Sequence, residues 1–293
     1  MNIHIASPQP SFWNQTMTTL KSSSSIKHIG LLALLCACLL VAANAHDMFL
    51  KFDSYFLNPN SRATVRLING TFRTSENAVT RDRMADVSLV KPAGERTHPP
   101  LTDWRDLGNT ALLTLQTGEA GTYVAGLYTK PRELTMNAAA FNRYLAQEGL
   151  PDTLAARKRD GELTRESRER YSKHVKAVFQ VGETHTDTYK TVLGYPVEII
   201  PQQNPYELKT GQTLEVLCVK GGQPIVGQYV LAGREFKGKE VAAPSVRTDQ
   251  QGVARIVLKG PGRWYVKFIH MSPVKDAPIN YESKWATLTF ELR

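Results

Sequence analysis

The 293-residue chain holds little cysteine. Cys36 and Cys38 fall inside one apolar run, and only Cys218 lies elsewhere. Without that run no internal disulfide can form, so the remainder must be held by its core. Cys218 sits in the alternating stretch Thr213–Val219 and reads as a buried strand residue. No apolar run reaches the about 20 residues that a spanning helix needs. The sequence has no Cys-x-x-Cys, His-x-His, His-Glu-x-x-His or Gly-x-Ser-x-Gly, and no phosphate-cradling glycine spacing. These absences remove the common zinc and hydrolase signatures, and the expectation is a protein that is not an enzyme. A block of one charge is missing too. The net charge is +9, yet the densest basic stretch, Arg157 to Lys173, is interleaved with Asp160, Glu162, Glu166 and Glu169. That pattern reads as a solvated helix face and speaks against a nucleic-acid partner.

What is present begins with a junction. Ile29 to Ala43 is apolar, is preceded by Lys21 and Lys27, and ends in Ala43-Asn44-Ala45 before His46-Asp47. A charged start, an apolar middle and small residues at the cut are the marks of a secretory signal peptide. The expectation is that residues 1–45 are removed and the protein is exported to the periplasm, with no membrane span after cleavage. Leu35-Cys36-Ala37-Cys38 offers a lipid anchor as the competing reading. Cleavage leaves 248 residues, 34 basic against 27 acidic, a net +7. That length exceeds a typical single domain and favours two.

Most segments beyond the junction are short, β-branched or aromatic, and bounded by Gly, Pro or Asn. They predict a mostly β protein. Thr110–Leu115 and Tyr123–Tyr128 flank Thr117–Gly121 and read as a hairpin. The period then changes. Ala138, Phe141, Tyr144 and Leu145 recur at helical spacing, Gly149 stops the helix, and Leu150-Pro151-Asp152 starts another. Arg165–Ser172, with Thr164 as its cap, reads as a third helix. The expected plan is a β-sandwich over 46–203 with a helical insertion at about 137–172, followed by a second sandwich over 204–293. Both modules are expected to be immunoglobulin-like or transthyretin-like.

The last module carries Gly222-Gln-Pro-Ile-Val-Gly227, Thr248-Asp-Gln-Gln-Gly252 and Pro261-Gly-Arg-Trp-Tyr-Val266 in order. This order resembles that of transthyretin-like and carboxypeptidase-regulatory-like sandwiches. More broadly, the chain carries His46-Asp-Met-Phe-Leu50, Glu169-Arg-Tyr-Ser-Lys173, Ile269-His-Met271 and Glu282-Ser-Lys-Trp-Ala-Thr-Leu-Thr-Phe290. Together these resemble a periplasmic domain family of unknown function that is loosely linked to nickel and cobalt uptake. The resemblance implies an exported β-sandwich protein that handles metal.

Four residues are candidate metal ligands. Cleavage after Ala45 would give His46 both a free amine and an imidazole, two nitrogen donors from one residue. Both shed protons near neutral pH, and Cu(II), Ni(II) and Zn(II) accept such nitrogen ligands; nickel, cobalt and copper are the expected metals. Asp47 would add a carboxylate or orient the ring. His270 ends the strand pattern Trp264–His270 beside Met271, and Glu282 supplies a further carboxylate if the folds converge. The expected function is transition-metal uptake or homeostasis, with a metal transporter or an envelope protein as partner. The other reading is a binding or scaffold module of the cell envelope that takes a sugar, a peptide or a protein and no metal.

Overall fold

The computed structural model describes residues 46–275 and 278–293. The expected signal peptide lies outside the described residues. The strands, in chain order, are β1 (Asp47–Phe52), β2 (Phe56–Leu57), β3 (Arg62–Gly70), β4 (Met84–Val90), β5 (Arg96–Thr97), β6 (Trp104–Leu107), β7 (Thr110–Gln116), β8 (Gly121–Thr129) and β9 (Arg132–Met136). Two helices follow, α1 (Ala138–Gln147) and α2 (Pro151–Arg159). The chain returns to β10 (Ser167–Val181), β11 (Val197–Pro201), β12 (Thr213–Lys220), β13 (Gln223–Pro224), β14 (Tyr229–Phe236) and β15 (Lys239–Ala242). It closes with β16 (Val246–Arg247), β17 (Val253–Val257), β18 (Gly262–Pro273) and β19 (Tyr281–Leu292).

An 11-stranded sheet, whose main path is β15-β14-β18-β19-β10-β8-β4-β5, forms the middle layer. Side chains alternate across it, so each face builds its own core. On one face, Val87, Leu89, Tyr123, Ala125, Leu127, Val175, Ala177 and Phe179 pack against Met48, Leu50, Val65, Leu67 and Leu113 of the four-stranded sheet β1-β3-β7-β6. On the other, Val266, Phe268, Ala286, Leu288 and Phe290 pack against Val197, Ile199, Leu214, Val216 and Ile256 of a sheet formed by β11, β12, β13 and β17. The chain is mostly β and sandwich-like. Cys218 is buried in this second core, and burial pushes its thiol pKa up.

The two expected sandwiches share the middle sheet. β19 pairs in parallel with β10 from Glu169↔Tyr281 to Ala177↔Thr289, which bridges the 203/204 boundary. The described residues all fall within one compact unit. Strands β7 and β8 correct the hairpin expectation: β7 pairs with β3 and β6, whereas β8 pairs with β4 and β10. Their apolar residues face each other across one core instead of lying side by side, because β8 is buried on both faces and demands a central position.

α1 and α2 form as expected. Asn137 caps α1, its side chain accepting from the Ala140 N–H at 2.9 Å. Gly149, at φ 78°, turns the chain out of α1, and a Cβ there would lie 2.8 Å from Leu231. The third expected helix, Arg165–Ser172, does not form: residues 167–172 are instead the start of strand β10. Ser167 and Glu169 are buried while Arg168 is exposed, a period of two that the dense charge disguised. Antiparallel β9 and parallel β19 flank this segment and satisfy its backbone from both sides.

Candidate metal centre

His46 and Asp47 open β1, an edge of the small sheet, at the seam where that sheet meets the middle layer. Gly70 ends the paired strand β3. A Cβ on it would sit 2.3 Å from the Thr74 carbonyl, so only glycine allows the chain to fold back through 71–75. The Glu76 N–H then donates to the Asn69 carbonyl at 3.0 Å, and the Glu76 carboxylate lies 3.3 Å from His46 Nδ1. Burial lowers the His46 imidazole pKa despite the raising effect of Glu76. Burial thus favours the neutral ring, the form that ligates metal.

Charges crowd this seam. Lys173 is buried and donates from Nζ to the His46 carbonyl and, at 2.8 Å, to Asn69 Oδ1. Burial brings its pKa down to about 8. Lys267 Nζ joins Asp47 Oδ2 of β1 to Glu148, 3.0 Å away at the end of α1. Burial acts to lower the Lys267 pKa, but the two carboxylates outweigh it and hold the ammonium charged. Asp47 Oδ1 is buried with no hydrogen-bond partner. An orphaned carboxylate oxygen costs about 1–3 kcal/mol or more, so a donor or a cation beside it would relieve that cost.

His270 and Glu282 lie elsewhere. In β18, Lys267 shares a face with Tyr265, which packs on Phe49 of β1, whereas His270 shares the opposite face with Val266 and Phe268. His46 and His270 are therefore on opposite sides of the middle sheet and cannot share one ion. His270 and Glu282 do lie on one face, two residue pairs apart in the β18–β19 register. Lysines hold both, however: Lys220 Nζ is 3.1 Å from His270 Nε2, and Lys284 Nζ donates to Glu282. Burial together with Lys220 and Lys284 pushes the His270 pKa down to about 4, and a dication would meet the same repulsion. Among the described residues no three His, Cys, Asp or Glu side chains converge on a metal position. A centre at His46 therefore needs the amine that cleavage would create, joined to Nδ1 and Glu76.

The sequence reading missed Glu76, Lys173, Lys267 and Glu148. Lys267 carried a signal, as one charge in the apolar run Trp264–Ile269 marks a partnered buried lysine. Glu76 carried none, because its place depends on the fold-back at Gly70.

Fold and seam together define a three-layered, mostly β protein with charged residues buried between its layers. The chain belongs to the DUF4198 family, a domain of unknown function, which matches residues 43–272. None of the curated proteins compared with it matches in sequence. Among solved structures it is similar to the D0–D1 domain of intimin, at 14% identity over 83% of this chain and 97% of that one, with a TM-score of 0.19. It is also similar to the Escherichia coli adhesin FdeC, at 13% identity over 83% of this chain and 64% of that one, with a TM-score of 0.19.

Proposed function

We propose that this is an exported periplasmic protein that binds one divalent transition metal at a cleaved N-terminal His46 and serves nickel, cobalt or copper uptake or homeostasis. The observation that carries the reading is the 3.3 Å approach of Glu76 to His46 Nδ1 at the first residue beyond the expected cut. The amine, Nδ1 and the Glu76 carboxylate give a two-nitrogen, one-oxygen donor set suited to Cu(II) or Ni(II). Asp47 Oδ1 is the nearby orphaned acceptor, available to a metal-bound water or to the amine. His270 and Glu282 have no part in this centre.

The test is calorimetric titration of Cu(II), Ni(II) and Co(II) into protein beginning at His46, alongside Glu76→Ala. The expected result is one equivalent bound in the parent and weakening by about tenfold or more in the variant. Equal binding by both would remove Glu76 from the centre. Because no side-chain triad converges among the described residues, a second reading stands beside the first, a metal-free binding module of the envelope. That reading predicts no stoichiometric uptake at all.

A further inference from the structure

A second charged recess lies further along the same seam. Its volume is about 280 Å³, and Lys51, Arg66, Arg73 and Arg263 contribute four cations to its lining against one carboxylate, Glu235. Lys51 is buried and donates to the Phe72 carbonyl at 2.8 Å and to Glu235 Oε2. Arg263 Nη2 donates to the other oxygen, Glu235 Oε1, at 2.7 Å. One carboxylate thus serves two cations at its inner end. At the rim Arg66 pairs with Asp53, and Arg73 is exposed with no ion pair among the described residues. The recess keeps an excess of two positive charges even with Asp53 counted.

We propose that this recess is a binding site for a phosphate group. Arginine presents a planar fork of N–H donors that matches a tetrahedral oxyanion, and two arginines at the mouth can grip it from two sides. The Lys51–Glu235–Arg263 triad holds the floor in place and supplies positive potential from below. Pockets for drug-sized molecules start near 300 Å³, so this recess suits a small ligand or a single headgroup. The floor of the recess lies away from His46, since Lys51 is four residues beyond Asp47, about 13 Å along the strand, but its rim residues Arg73 and Ser75 belong to the fold-back that carries Glu76.

The experiment uses the full exported chain and follows arginine side-chain NMR signals. Inorganic phosphate, glycerol 3-phosphate and sodium chloride at matched ionic strength are titrated in parallel. The comparison variants are Arg73→Ala and Arg66→Gln, both changes at exposed side chains that leave the core untouched. Saturable shifts with inorganic phosphate, weakened about tenfold in the double variant, support the site and a free phosphate as its ligand. Saturation with the ester alone supports the site and assigns it a phosphorylated molecule. Shifts that sodium chloride reproduces, or binding unchanged in the double variant, overturn the proposal. Metal titration of the same double variant keeps the two sites apart: metal uptake that persists while phosphate binding is lost assigns the loss to the recess.

Discussion

At the residue scale, the fold places ionisable groups where water does not reach them. Glu169 is the sharpest case. It is 1% exposed, accepts from Tyr144 Oη at 3.2 Å and from Ser283 Oγ, and burial raises its pKa to about 7. The folded state therefore holds a proton there that the unfolded chain releases near pH 4.5. Its contribution is fully present below pH 4.5 and is lost as pH rises to about 7. Wild-type protein should lose about 3 kcal/mol over that window relative to Glu169→Gln, read from urea denaturation at several pH values. Parallel stability curves for the two proteins would show that Glu169 is ionised throughout. The buried pair Lys176–Glu198, 2.8 Å apart, is a second case. Glu198 also accepts from the N–H groups of Leu193, Gly194 and Tyr195. Glu198→Ala should cost about 3–5 kcal/mol or more in urea denaturation by stranding Lys176 and these three N–H groups, whereas Lys176→Met with Glu198→Gln, which keeps an acceptor for them, should cost less. Both charges stood visible inside apolar runs, in His174–Val181 and Val197–Ile200, yet their pairing was not legible. It depends on β10 and β11 meeting across two sheets.

At the element scale, the two helices show what a sequence does and does not declare. The spacing of Phe141, Tyr144 and Leu145 and the Gly149 stop are local features, and local rules found them, while the Asn137 cap went unread. What docks the helices is not local. Arg157, in a segment that read as a solvated face, is 1% exposed. It donates to the carbonyls of Glu162 at 2.6 Å and Arg165 at 2.7 Å and to Tyr281 Oη at 3.1 Å, and it lies 4.8 Å above the Phe141 ring. One cation thus ties α2, the loop after it and the start of β19 together. Arg157→Ala should speed amide exchange throughout α1 and α2 while the β10–β19 ladder stays protected. Arg157→Lys should rescue little, since an ammonium lacks the planar fork. Equal deprotection of the whole chain would show that the helices are part of the folding core. The misread third helix has the same origin: charge density drew attention away from a two-residue period that only β9 and β19 explain.

At the scale of the whole molecule, alternating strands and glycine-bounded turns were enough to give a mostly β sandwich. They could not give the number of layers. Parallel pairing of β10 with β19 joins residues more than a hundred positions apart, and no short-range pattern encodes it. A chain cut after 203 would strip β10 of that neighbour and open the core shared by Val124, Val178 and Phe268. Residues 46–203 alone should therefore fail to fold, and the intact protein should melt in one calorimetric transition with equal van't Hoff and calorimetric enthalpies. Two separable transitions would support the two-domain plan instead. The central functional claim also belongs to this scale, because it joins export to chemistry: removal of the leader is held to create a ligand. It is tested most directly by titrating Cu(II) into two proteins, one beginning at His46 and one retaining Ala45 ahead of it. The account predicts one tightly bound ion in the first and loss of that site in the second. Equal affinity in the two would contradict it.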